Sequence, residues 1–512
     1  MRGRMLMPLV LSLAAVTCAM ANAAEPALSK QRFESIVANL DTGGDLLVVA
    51  NLEGYVQGLV SNITKFAMAL PQTGPASEDI QAAFARIPGF LSKNGFYAVQ
   101  GFGASVVPRA DGLNTVKVFL CRDPAAAGSP LWRGLVGGQP RNLECAGFLP
   151  ADTVLARTGT AEWPQLWKLV RSGVAEFATP EGAASFNLQL STLSTNMGVD
   201  LDKVFASLGA EGFFSLQLSR VSTIEIPSQG GASVRMPCPS LLIGLAVKDD
   251  TLVKAIERPM ARSKIPVVKT QVGSTTISSI TVQNKSPFPF QPSFAIYSNV
   301  FLIGSTTEVV SDAIKAFKGS SGLVATAEYR KAFQGLPAAN NGIFYMSPRL
   351  MKAVMELQAS MTASGGEEGG GPPAFLGEML SAGGDLQSAF VIQNLPAGVL
   401  TTGASSSGGK ELVGTVLVAP AGLLAAIAIP SFVKARNTAQ YNACINNLRQ
   451  IDGAKEQWAM AMRKVDGDPA DVRGISQYIK GGKIPVCPQG GTYTINPIGT
   501  LPVCSIPGHQ ME

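Results

Sequence analysis

The stretch from Asp152 to Val170, DTVLARTGTAEWPQLWKLV, passes from a short apolar strand, through polar threonines, into an amphipathic helix. Two other stretches follow the same course: DLLVVANLEGYVQGLV (Asp45 to Val60) and NGIFYMSPRLMKAVMEL (Asn341 to Leu357). At each change of period a polar residue fits an N-cap. These are Asn51, Thr158 or Thr160, and Ser347, the last followed by Pro348 at the first helical position, where a missing N–H costs nothing. Leu149-Pro150 and Leu336-Pro337 stand before two of the three. A second landmark lies downstream. Leu91 with Gly95, Leu208 with Gly212 and Leu380 with Gly384 repeat one spacing, each followed by an apolar run (FYAVQGF, FFSLQLS, LQSAFVI). A helix that ends at a glycine and returns as a strand accounts for this. Shared strand-helix packing without an internal repeat would leave the same marks.

Between the second and third stretches, FAIYSNVFLIGSTTEVVSDAIKAF (Phe294 to Phe317) reads as a hairpin turning at Ser298-Asn299, then a helix. The helix carries a capping box, Ser305-x-x-Glu308, and an apolar face of Val309, Val310, Ala313, Ile314 and Phe317. The expected fold class is α+β: repeated strand-helix-strand units over residues 24–418, in two or three sub-units, with a mainly antiparallel sheet and helices on one face. This order of elements resembles the DUF3352-type extracytoplasmic family. The resemblance rests on pattern and carries no functional residue across.

Composition narrows the function classes. Of 512 residues 46% are hydrophobic and 15% charged, the balance of a globular chain. The net charge of +5, from 41 Lys and Arg against 36 Asp and Glu, is too weak and dispersed for a nucleic-acid partner. The sole histidine is His509, near the C-terminus. Catalytic triads, Cys-His pairs and HExxH zinc sites need a histidine in the body of the fold, so no catalytic, cofactor-binding or metal-ligating residue is expected and the chain reads as a non-enzyme. GASSSGGK (Gly403 to Lys410) fails as a phosphate loop at Ala404 and Glu411, and Gly101-x-Gly103 lacks the third glycine of a dinucleotide site. Glu367-Glu368 lies in the glycine-rich run TASGGEEGGGPP (Thr362 to Pro373), which reads as a solvated loop, and Asp249-Asp250 reads as helix caps.

The opening MRGRMLMPLVLSLAAVTCAMANA places Arg2 and Arg4 before an apolar run from Met5 to Met20 and ends on Ala21 and Ala23. Residues 1–23 therefore read as a secretory signal, and the expected location is the periplasm or cell surface. Beyond Cys18 in that leader the cysteines are 121, 145, 238, 444, 487 and 504. An even number in an exported chain permits disulfides.

Residues 419–512 change character. GLLAAIAIPSFVKARNTAQYNACINNLRQIDGAKEQWAMAM (Gly422 to Met462) reads as one long helix, apolar all round as far as Val433 and amphipathic beyond. Tyr441, Cys444, Ile445, Leu448, Ile451, Trp458 and Met462 share its later apolar face. A small sheet is expected to follow, with turns at Gly490-Gly491 and Asn496-Pro497. The helix resembles that of the type IV pilin and type II secretion pseudopilin family at Gly422, Leu424, Ala425, Ala426, Ile427, Ala428, Ile429, Pro430 and Phe432, with Ala435 and Arg436. Counted back from Pro430, the family's cleavage glycine falls on Gly408, but its aromatic falls on Gly409 and its glutamate on Val413, so the processing site is missing. The resemblance implies a structural or interaction module whose partners are proteins of the cell envelope, pilus or secretion components among them. Membrane association stays open, since Leu412 to Val433 carries no charge although Pro420 divides it. Related pilins staple the C-terminal region, which implies a disulfide between Cys487 and Cys504, the flanks of the hairpin, with Cys444 left as a buried thiol. Three buried thiols are the alternative. Two other functions fit the sequence: a lipid- or glycan-binding protein with a groove between sheet and helices, and a minor component of a type II secretion or type IV pilus-like assembly.

Overall fold

The structure is a computed structural model that describes residues 30–69, 76–178, 180–227, 233–282, 288–319, 321–363, 387–406, 441, 443–479, 481–488, 490–506 and 508–511. The signal segment, Glu367-Glu368, Leu380 with Gly384, and the pilin-like positions Gly422 to Phe432 lie outside these residues, as does the run 412–433. The chain divides into two compact units, 1–411 and 412–512.

The first unit is α+β. Its strands are β1 (Leu46–Asn51), β2 (Val99–Pro108), β3 (Asn114–Arg122), β4 (Thr153–Thr160), β5 (Leu208–Pro227), β6 (Ser233–Val247) and β7 (Val267–Val272). Then come β8 (Thr275–Ile280), β9 (Ser293–Tyr297), β10 (Val300–Gly304), β11 (Gly342–Met346), β12 (Ser388–Leu395) and β13 (Gly398–Ser405). All join one antiparallel sheet in the order β1-β2-β3-β13-β12-β11-β4-β5-β6-β10-β9-β8-β7. The three stretches quoted above each begin a strand-helix pair: β1 with Tyr55–Ala69, β4 with Trp163–Phe177, and β11 with Pro348–Ala363. Each pair is followed by a hairpin (β2-β3, β5-β6, β12-β13), and each set of three strands holds adjacent places in the sheet. The second and third sets meet where β11 pairs with β4, Tyr345 opposite Ala156.

Several local expectations shift. Thr158 and Thr160 stay within β4, their hydroxyls engaged by distant partners: Thr158 accepts from the Ile343 N–H of β11 at 3.1 Å and Thr160 donates to the Val136 carbonyl, at the end of the Pro130–Val136 helix, at 2.7 Å. Glu162 then occupies the N-cap position of the helix. The helix before Gly212 stops earlier, at Ser207, and β5 starts at Leu208, with a register shift before Gly212. In the 307–318 helix the capping side chain is Thr306, which accepts from the Val309 N–H at 3.3 Å, while Ser305 instead accepts from the Leu241 N–H on β6 at 2.9 Å. The β9-β10 turn does fall on Ser298 and Asn299, at φ of 48° and 60°, as a two-residue turn with both φ positive requires.

Helices cover both faces of the sheet rather than one. Successive residues of a strand point to opposite sides. Leu302 packs in a cluster with Val309, Val310 and Ile314 of the Thr307–Lys318 helix, whereas neighbouring Phe301 packs with Met260 of the Thr251–Arg262 helix. In the first cluster the fully buried Phe148 stacks on Phe317 at 4.2 Å between ring centroids.

In the second unit a helix over 443–461 lays Ile451, Ala454, Trp458 and Ala459 against Ile475, Ile479 and Ile498. Beyond it come a short helix, Val472–Ser476, and a two-stranded sheet of β14 (Tyr493–Thr494) and β15 (Val503–Cys504). The expected apolar face is buried at Cys444, Ile445, Leu448, Ile451 and Trp458; Tyr441 and Met462 are exposed instead, Met462 because the helix has already ended. Among the described residues no helix is long and apolar enough to cross a membrane.

Candidate metal centre

The second unit gathers four side chains that the sequence keeps apart. Cys444 comes from the first turns of the 443–461 helix, Cys487 from the loop ahead of β14, Cys504 from β15, and His509 from the chain beyond it. Their ligand atoms, three Sγ and one imidazole nitrogen, all lie within 4.8 Å of one another. His509 Nδ1 stands 3.8 Å from Cys487 Sγ and 3.9 Å from Cys504 Sγ. Cys444, Cys487 and His509 are buried and Cys504 is partly so.

Local chemistry holds each group. After Cys487-Pro488 the chain turns back with the Gly490 N–H donating to the Cys487 carbonyl at 3.0 Å, a turn that places Gly490 at φ 81°. At Gly491 the backbone comes so close that a Cβ there would lie 2.8 Å from Cys504 Sγ, so only glycine lets the sulfur approach. Asn447, one turn along the helix from Cys444, donates through Nδ2 to the Tyr493 hydroxyl at 3.2 Å and to the Val486 carbonyl at 3.1 Å. Tyr493 in turn donates to Cys444 Sγ at 3.3 Å, and the Ile506 N–H donates to Cys504 Sγ at 3.5 Å. Tyr441 meets the His509 ring edge to face, centroids 5.5 Å apart.

Burial pushes the Cys444 thiol up to about 11; the Tyr493 hydrogen bond opposes this, and the hydrogen bonds with the Cys487 and Cys504 sulfurs add to it. Burial likewise raises the Tyr493 phenol, which therefore stays protonated and able to donate. Burial thus favours the thiol form of Cys444, and a cation reverses that preference, because coordination deprotonates a thiol outright.

From residue types alone no metal ligand is expected, and His509 stands solitary. The expected disulfide between Cys487 and Cys504 is absent: both are free thiols. The physical reason is a fold-back that the sequence reading did not include: the C-terminal strands return over the start of the helix and bring Cys444 and His509 to the same two sulfurs. The signal present was the close Cys504-x-x-x-x-His509 spacing and the Cys487-Pro488 pair ahead of Gly490-Gly491.

A second concavity, of about 480 Å³, lies in the first unit and is lined by Trp167, Arg171, Asn187, Thr195 and Asp202. Its polar groups largely engage one another: Arg171 pairs with Asp202 at 2.7 Å, Asp202 also accepts from the Trp167 indole N–H, and Trp167 stacks on Phe205 at 4.6 Å. Hydrogen bonds from Trp167 and Arg171 hold the Asp202 carboxyl below its ordinary range. No family model, curated protein or solved structure matches the chain.

Proposed function

We propose that the chain is an exported, non-catalytic protein of the cell envelope, in which the first unit is a rigid α+β body and the second a pilin-like structural or interaction module. The observation that carries this reading is the second unit's construction: an amphipathic helix, continuing the sequence that resembles a pilin helix, buries one face on a small C-terminal sheet and its loops. Such a module presents its loops to a partner while its own core stays closed. The partners are envelope proteins, pilus or type II secretion components among them. N-terminal sequencing of the mature chain together with cell fractionation tests the reading. A start at Ala24 in the periplasmic, surface or membrane fraction supports it, and an intact Met1 in the cytosolic fraction overturns it.

The cleft around Trp167 favours a second reading, an extracytoplasmic lipid- or glycan-binding protein, since an aromatic ring beside polar and charged groups suits a sugar face. Quenching or shifting of tryptophan emission by glycans, lost in Trp167→Ala, supports that reading over the first.

A further inference from the structure

We infer that Cys444, Cys487, Cys504 and His509 form a structural zinc site that clasps the start of the 443–461 helix to the C-terminal strands. The inference goes beyond the envelope reading and does not depend on it, since metal content is independent of cellular address.

Geometry is the first argument. Tetrahedral zinc with sulfur at about 2.3 Å and nitrogen at about 2.0–2.1 Å separates its ligand atoms by about 3.5–3.8 Å. The two nitrogen-sulfur distances, 3.8 and 3.9 Å, are already close to that range. No separation exceeds 4.8 Å. Closing even a uniform tetrahedron of that edge onto zinc moves each sulfur inward by about 0.6 Å and the nitrogen by about 0.9 Å.

The donor set is the second. Three thiolates with one imidazole select zinc over the hard cations magnesium and calcium, which take oxygen ligands. Four protein ligands in a mostly buried site leave no open position for substrate, which marks the site as structural.

The surroundings are the third. Thiolate ligands are stabilised and oriented by donors to sulfur. The Tyr493 hydroxyl, itself held by Asn447, supplies one to Cys444, and the Ile506 N–H supplies one to Cys504. A disulfide between Cys487 and Cys504 would use two of the four groups and give neither Cys444 nor the buried imidazole a reason to converge on them. One ion instead binds all four and ties helix, loop, strand and terminus together.

The test uses the full-length chain purified under reducing conditions without chelators. The inference expects one zinc per chain by elemental analysis, retained through dialysis and released when an organomercurial blocks the thiols. Cys444→Ser should lose the zinc, and His509→Ala should weaken binding by at least about tenfold, no less than the loss of an outer-shell partner costs. Because a cysteine variant can fail to fold, cobalt is added to the unaltered chain as well. Intense visible bands of tetrahedral cobalt with thiolate-to-metal charge transfer, abolished by added zinc, support the site. Weak octahedral bands overturn it. So do a metal-free chain after reductive reconstitution, zinc content unchanged in both Cys444→Ser and His509→Ala, or a Cys487–Cys504 disulfide in the mature protein.

Discussion

Lys455 offers a stringent test of how the second unit is held. Its side chain lies on the helix and is 2% exposed. The ammonium donates to the Pro497 carbonyl at 3.4 Å and to the Thr500 carbonyl, and pairs with the Asp452 carboxylate at 3.3 Å. Lys455→Met keeps most of the stem volume and removes the charge. Two effects then compete. Removing a buried charge relieves a desolvation penalty of several kcal/mol. Each hydrogen bond lost from a charged donor removes about 1.5–3 kcal/mol, and each carbonyl left without a donor costs about 1–3 kcal/mol more where water cannot return. Pro497 and Thr500 are exposed residues, so their carbonyls regain water and the lower end applies. Asp452 keeps about a fifth of its side chain in solvent and stays hydrated. The net expectation is a loss of about 2 kcal/mol, roughly a thirtyfold rise in the opening equilibrium of the unit. Hydrogen exchange on peptides from 443–461 reads that opening directly, and Trp458, buried in the same core, follows it by fluorescence in urea. Protection equal to or greater than that of the unaltered chain would refute the reasoning, because the relief of burying a charge would then exceed the value of its two hydrogen bonds and its ion pair.

Other expectations follow from the same physics. Phe148→Ala removes a fully buried ring stacked on Phe317 and should destabilise the first unit by about 4 kcal/mol; an unchanged urea midpoint counts against its central place in the core. Gly491→Ala puts a methyl 2.8 Å from Cys504 Sγ and 2.9 Å from Ile506, and should destabilise the second unit by about 1–3 kcal/mol, seen as lost exchange protection around β15 and faster alkylation of Cys504. Burial raises the Cys145 thiol and the Tyr329 and Tyr345 phenols above their ordinary values, so the unfolded chain releases these protons first. Their stabilising effect is full at neutral pH and declines as pH rises past about 8.5 for the thiol and about 10 for the phenols. Urea midpoints of the first unit measured from neutral to alkaline pH should fall in that order, and a rise would contradict the sign. Thr306→Ala removes the cap of the Thr307–Lys318 helix at a cost of about 1 kcal/mol, whereas Ser305→Ala leaves that cap intact; equal losses of helix protection in the two variants would argue for Ser305 as the cap.

Much of the local architecture was readable from residue order. The changes of period after Asn51, within Asp152 to Val170, and at Ser347-Pro348 mark real strand-to-helix passages, and Ser298-Asn299 is a real hairpin turn. Where the reading slipped, a distant partner claimed a group that local rules had assigned nearby. Thr158 and Ser305 fit helix caps by spacing, yet one serves β11 and the other β6. The candidate metal centre was the least legible feature. Cys444 looks unrelated to Cys487, Cys504 and His509 when it stands dozens of residues before them, and one histidine carries little meaning until a neighbour is known.

By itself the sequence determined what depends on neighbours a few residues away: apolar periodicity, positive-φ turns, proline at helix starts, and hence the α+β class and the positions of most elements. Only the tertiary structure decided the pairing of β4 with β11, the covering of the sheet on both faces, and the meeting of Cys444, Cys487, Cys504 and His509. Those depend on which surfaces bury one another, and that free energy is summed over contacts between segments whose separation along the chain leaves no periodic trace.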